Sequence, residues 1–175
     1  MSRQKSHRLF FALQPNEPVR KAVSAVQKTC GAEGRAVPAA NFHVTLAFLG
    51  MQDAAVIPKV CEVANSLSFQ PCKVTLDRFG RFKRAGVLWL GAGRVPASLA
   101  AFQHDLVDAL LAAGIGYDRK PWKLHLTLYR KMRTMPPTMA PVAIHWPLEG
   151  FSLVESISVN RGVEYHDIAS WKASA

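Results

Sequence analysis

Two apolar runs in this chain open on His-x-Thr-Leu: HVTLAFLG at residues 43–50 and HLTLYRKM at residues 125–132. The order strand, helix, His-x-Thr strand leads into each of them. Before the first, LFFAL reads as a strand, and Asn16 can cap a helix that tolerates Pro18 in its first turn. Val19, Ala22, Val23 and Val26 share one face of that helix, and Gly31 stops it. Before the second, GVLWLG precedes a helix over about Ser98 to Ala113, with Leu99, Phe102, Leu106 and Leu110 on one face and Gly114 beyond. A chain that repeats this order folds as two similar α+β lobes, each offering one His-x-Thr strand to a shared cleft. At 175 residues and 49% apolar content the whole chain, 1–175, is expected to form one domain made of those lobes.

The remaining segments fill in around this frame. Gly50 closes the first His-x-Thr run, and Ile57, Val60, Cys61, Ala64 and Leu67 mark another helix. CKVTL, GFSLVESISV and EYHDIASW read as strands, DRFGRFKRA as a basic loop, and MRTMPPTMAP as a surface loop by its prolines.

In a strand, successive side chains alternate faces. His43 and Thr45 therefore point one way while Val44 and Leu46 anchor the other face; His125 and Thr127 do likewise against Leu126 and Leu128. Polar groups set into an apolar strand are costly unless something binds them. Two imidazoles and two hydroxyls suit an in-line displacement at phosphorus. A neutral histidine takes a proton from water on one side, and a protonated one gives a proton to the departing oxygen on the other. The hydroxyls hold the nonbridging oxygens, where charge persists through the transition state. No HExxH, CxxC or acid-rich cluster lies near either motif, so no metal is expected. GAG at 91–93 lacks the last glycine of a dinucleotide loop, Pro96 standing there, so no nucleotide cofactor is expected either.

The charge points to the same chemistry. Lys and Arg number 22 against 12 acids, a net +10, with basic windows at 78–84 and 119–133 and phenylalanines at 79 and 82. That pattern fits a phosphate-binding surface, or only a solvated face. The three cysteines, Cys30, Cys61 and Cys72, show no paired spacing, as in a reduced cytoplasmic protein. No run approaches the ~20 apolar residues of a membrane span. LFFAL is too short for the ~7-residue apolar core of an export signal.

RLFFAL, NFHVTLAFLG, DRFGRFKRAGVLWLG and HLTLYR, in that order, resemble the two-histidine (2H) phosphoesterases. The resemblance implies a bilobal, pseudo-twofold α+β fold, with two antiparallel-sheet lobes, outer helices and a central cleft. It implies hydrolysis of 2′,3′-cyclic phosphate ends of RNA to 2′-phosphates, with reversible joining of tRNA halves through a 2′-5′ bond. Carried onto this chain, His43 and His125 are the catalytic pair, with His125 activating water and His43 protonating the departing 3′ oxygen. Thr45 and Thr127 bind the phosphate, Arg130 supplies a cation, and Phe48 stacks on a base. Strict alternation puts Phe48 and Arg130 on the face away from the histidines, so each needs a local irregularity to reach the cleft. Tyr129, where the family carries a small residue, is expected on the His125 face, narrowing the cleft or stacking on a base. RNA is the expected partner, the cytoplasm the expected location, and a monomer the expected state. A 2H enzyme acting on 2′-5′ oligonucleotides or small cyclic nucleotides, and a noncatalytic RNA-binding protein, are the alternatives.

Overall fold

The computed structural model describes residues 5–31, 33–136 and 139–175. In chain order the strands are Ser6–Leu13 (β1), Arg35–Ala36 (β2), Val44–Asp53 (β3), Cys72–Leu76 (β4), Arg78–Phe82 (β5), Val87–Gly91 (β6), His125–Arg130 (β7), Ile144–Leu148 (β8), Gly150–Val159 (β9) and Gly162–Lys172 (β10). The helices are Glu17–Thr29 (α1), Ile57–Asn65 (α2) and Ala97–Ala112 (α3). Asn16 caps α1, its side chain accepting from the Val19 N–H at 3.1 Å, with a proline at the helix start.

One antiparallel sheet runs β10-β9-β1-β3-β7-β6-β5, with β2 added on β7, and a separate pair is formed by β4 and β8. The long sheet consists of two halves that meet at a single register pair, Val44↔Leu126. Each half has the same order: β1, α1, β3 in one and β6, α3, β7 in the other. The joining residues are the x positions of the two His-x-Thr motifs, so the axis relating the halves passes between equivalent residues.

What holds this frame is the apolar face of the sheet. Leu9, Phe11, Leu13, Val44, Leu88, Leu90 and Leu126 are essentially inaccessible and pack with Val19 and Val23 of α1 and Leu99, Phe102, Leu106 and Leu110 of α3. Each such side chain contributes roughly 1.5–3 kcal/mol over its exposed state. With helices covering that face, the histidines and threonines are left on the other.

Three segments differ from expectation. The basic stretch at 78–84 is not a loop: Arg78–Phe82 is β5, in register with β6 from Arg78↔Gly91 to Phe82↔Val87. Gly80 makes the pairing possible, because a side-chain carbon there would overlap the indole of Trp89. Gly50 does not end β3; at φ 69° it sits in a bulge, and the strand continues to Asp53 against Ser6. IHWPL, unassigned above, is β8, an edge strand whose Pro147 needs no partner on its outer side and whose Trp146 is fully buried. The proline-rich stretch from Met132 has no helix or strand in its described part; Pro137 and Thr138 lie outside the described residues.

Candidate active site at the meeting of two strands

Extending the Val44↔Leu126 register one step each way sets His43 across from Thr127 and Thr45 across from His125. All four side chains stand on the face opposite the helices. The structure therefore brings the two motifs together, interleaved across one strand boundary.

Phe48 and Arg130 reach the same face by one device used twice. In β3, Thr45 pairs with Ala12 but Ala47 pairs with Phe11, leaving Leu46 as an extra residue. In β7, Thr127 pairs with Trp89 but Tyr129 pairs with Leu88, leaving Leu128 as the extra residue. A bulge immediately after each motif threonine thus resets the alternation. Consecutive residues become buried, Leu46 with Ala47 and Leu128 with Tyr129. The residue five beyond each histidine, Phe48 or Arg130, then turns back to the cleft, and both line its cavity. The Leu128 carbonyl freed by the second bulge accepts from the Val37 N–H at 2.9 Å and from Nε2 of the buried Gln27 at 2.8 Å.

The same bulge corrects the expectation for Tyr129. It is in the core, 8% exposed, with its hydroxyl donating to the Gln27 carbonyl at 2.8 Å, and it forms no part of the cavity wall. A tyrosine here neither narrows the cleft nor meets a base.

The cavity is about 510 Å³ in volume and includes His43, Thr45, Phe48, Thr127 and Arg130 in its wall. Arg8, Arg35, Lys131 and Arg161 also line it, and among the described residues no carboxylate does. Such a wall selects anions. His125 is outside this wall, on the opposite flank. It is edge-on to Phe82 at 4.9 Å, with Trp89 at 6.2 Å. His43 has a matching setting, with Phe10 at 4.9 Å and Tyr165 edge-on at 5.1 Å. Phe10, Tyr165 and the arginines other than Arg130 escape sequence reasoning. LFFAL is apolar throughout, so alternation could not show that Phe10 faces the cleft while Leu9 and Phe11 face the core.

Both imidazoles are held alike. Nδ1 of His43 donates to the Asn41 carbonyl and Nδ1 of His125 to the Lys123 carbonyl, each at 2.8 Å. A carbonyl only accepts, so each ring carries its proton on Nδ1 and leaves Nε2 free to exchange one. Nε2 of His43 lies 3.0 Å from Oγ1 of Thr45. Burial depresses the His43 pKa to about 4, helped by the positive charge of Arg130 and of a protonated His125 and opposed by the bond to Asn41. Burial lowers the His125 pKa too, with Arg130 and Lys123 adding to the effect and the Lys123 carbonyl opposing it. Both shifts favour the neutral rings in the free protein. Such a site can bind an anion, accept a proton at one Nε2 and, once an anion has raised the other ring's pKa, return one.

The other histidines lie elsewhere and have partners of their own: His7 with Glu155, His104 with Asp108, His145 with Thr75 and His166 with Glu164. Among the described residues no group of three or more His, Cys, Asp or Glu is arranged to hold a metal, and no helix is long and apolar enough to cross a membrane.

A α+β fold with paired His-x-Thr strands over a basic cavity defines a phosphoesterase of the two-histidine class, and comparison with known proteins agrees. The family described as LigT like phosphoesterase matches residues 13–89. An RNA 2′,3′-cyclic phosphodiesterase of Thermus thermophilus is 32% identical over 172 residues, 90% of this chain and 86% of that one. The enzyme of the same name from Escherichia coli is 28% identical over 168 residues, 94% and 95% of the two chains. A crystal structure of a phosphoesterase superposes with a TM-score of 0.91 at 26% identity, covering 98% of this chain and all of that one. E. coli LigT complexed with 3′-AMP gives 0.89 at 26%, with the same coverage. The chain belongs to the LigT-like phosphoesterase family.

Proposed function

We propose that this protein opens 2′,3′-cyclic phosphate ends of RNA to 2′-phosphates, with His43 and His125 as the proton-transfer pair. The observation that carries this reading is the Val44↔Leu126 pair, which sets the two motifs across from each other at the edge of a cavity walled by cations. The phosphate lies between the rings, its nonbridging oxygens held by the hydroxyls of Thr45 and Thr127 and by Arg130. The nucleoside fits the cavity that His43 lines, where Phe48, Phe10 and Tyr165 offer apolar surface to ribose and base. The departing O3′ belongs to that nucleoside, so His43 is the acid beside it and His125 the base on the water side. Water gives its proton to Nε2 of His125 as its oxygen bonds phosphorus. The P–O3′ bond breaks and O3′ takes the proton from Nε2 of His43. His43, whose burial favours the neutral ring in the free protein, acquires that proton with the substrate's anion, whose charge offsets Arg130. With a ribose 5′ hydroxyl in place of water, the same displacement leaves a 2′-5′ linkage. The protein would act as a monomer in the cytoplasm, where its three free cysteines stay reduced.

The test is the product from a nucleoside 2′,3′-cyclic phosphate in the presence of EDTA. The expected product is the 2′-monophosphate, formed at the rate seen without chelator. A 3′-monophosphate would reverse the leaving group. Cleavage of 2′-5′ oligonucleotides with the cyclic nucleotide left intact would transfer the site to a different substrate.

A further inference from the structure

The two bulges that turn Phe48 and Arg130 to the cleft share a second feature: each is held by a glutamine from the opposite half of the sheet. Gln27, on α1 of the first half, is 7% exposed. Its Nε2 donates to the carbonyl of Leu128, the inserted residue of β7, at 2.8 Å and to the Val37 carbonyl at 2.9 Å. Gln103, on α3 of the second half, reaches the other way. Its Nε2 donates at 3.1 Å to the carbonyl of Leu46, the inserted residue of β3. The exchange is reciprocal, and each leucine stands three residues beyond its histidine.

A bulge takes its inserted residue out of the strand ladder, and a buried carbonyl released in this way needs a donor from elsewhere. The bonds beside each glutamine cross between the halves as well. The Val37 N–H joins Gln27 on the Leu128 carbonyl, and the Tyr129 hydroxyl donates to the main-chain carbonyl of Gln27 itself. On either side of Leu46, the Trp122 indole N–H donates to the Thr45 carbonyl at 2.9 Å and the Asp118 N–H to the Phe48 carbonyl at 2.8 Å. These bonds add polar links between the halves beside the single register pair Val44↔Leu126.

We propose that Gln27 and Gln103 are positioning residues, each fixing the bulge behind the other half's motif: Gln27 holds Leu128 and so aims Arg130, and Gln103 holds Leu46 and so aims Phe48. This rests on the function given above, in which Arg130 holds the phosphate and Phe48 faces the nucleoside. A strand without the inserted leucine puts both side chains on the helix face. Removing the glutamine donor leaves a buried carbonyl short of a partner and withdraws support from the bulged form. Arg130 then moves away from the rings and the phosphate, and Phe48 away from the nucleoside. Each glutamine thus acts on the half to which it does not belong.

Gln27→Met and Gln103→Met test this, because methionine keeps the length and volume of the side chain and removes the donor. In hydrolysis of a nucleoside 2′,3′-cyclic phosphate, Gln27→Met is expected to lower kcat about tenfold, within the range that a small misplacement of an aligned group costs. Gln103→Met is expected to raise KM about tenfold with kcat little changed. Both effects shrink to about twofold or less where their targets are gone, Gln27→Met in an Arg130→Ala background and Gln103→Met in Phe48→Ala. A merely structural loss would multiply through instead. Proton NMR titration reads the first effect without turnover. Arg130 lowers the pKa of both rings, so Gln27→Met raises both, while Lys123 continues to act on His125. Losses undiminished in the alanine backgrounds, with both rings titrating as in the wild type, would overturn the proposal. Should Gln27→Met fail to fold, Gln103→Met, at a half-buried position, decides by its KM and by its silence in Phe48→Ala. If the wild-type protein hydrolyses no cyclic phosphate, the functional reading fails. The titration then still decides, since raised ring values in Gln27→Met support the positioning role and unchanged values overturn it.

Discussion

Replacing either His43 or His125 with alanine lowers turnover of a nucleoside 2′,3′-cyclic phosphate by about two to four decades, the usual value of a positioned acid or base. Both losses are expected to be large because the proposed mechanism gives each ring a separate task, one on either side of phosphorus. The double variant loses little more than the worse single one, since neither proton transfer assists an in-line displacement that lacks its counterpart. The fold survives these changes. The rings stand on the cleft face, away from the helices, and the backbone pairs Val44↔Leu126 and Ala12↔Thr45 do not depend on them. Equal thermal midpoints with lost turnover are the expected pattern. Near-wild-type turnover in either variant would remove that histidine from the mechanism.

Arg130→Ala has the second-largest expected effect, about a hundredfold in kcat/KM, the scale of one lost electrostatic contact to a charged transition state. It also moves the pH dependence in a direction that a purely structural residue would not. In the free protein both imidazoles titrate below their ordinary 6.5, His43 near 4, and the proposed mechanism needs one of the pair protonated. The bell in kcat/KM therefore lies on the acid side of 6.5. Arg130 lowers both values, so its removal shifts both limbs toward higher pH. The shift is partial, because burial is the larger cause for each ring. Proton NMR titration of the two rings reads the same shift without turnover. A rate loss with both limbs unmoved would place Arg130 away from the pair.

Much of this was legible in the chain because hydrophobic alternation records which face of a strand is buried. Val44 and Leu126 against the helices, and hence His43, Thr45, His125 and Thr127 away from them, follow from that rule. The rule fails where the strands do. Each motif is followed by a bulge that inserts one residue, Leu46 or Leu128. Nothing in LAFLG or LYRKM announces it, since both inserted residues are leucines that would be buried in a regular strand as well. The consequence was visible only as a conflict: Phe48 and Arg130 had the wrong parity for their implied roles. Tyr129 shows the cost of ignoring the conflict, since uninterrupted alternation places it in the cleft and the bulge places it in the core. The strand at 78–82 was hidden for a different reason. Its basic residues are those of an exposed loop, and its pairing with β6, where Gly80 leaves room for the Trp89 indole, is a long-range match that leaves no local pattern. Long-range partners such as Arg8, Arg35, Arg161 and Tyr165 come from separate strands and leave no local pattern.

The claim beneath all of this is that two imidazoles from separate halves of the sheet close on one phosphorus atom. A crystal structure with a nucleoside 2′-monophosphate bound tests it. The phosphorus is predicted between the two Nε2 atoms, with a phosphate oxygen about 2.7–3.2 Å from each ring. The Thr45 and Thr127 hydroxyls should sit on the remaining oxygens. A phosphate held among Arg35 and Arg161, out of reach of His125, would contradict it.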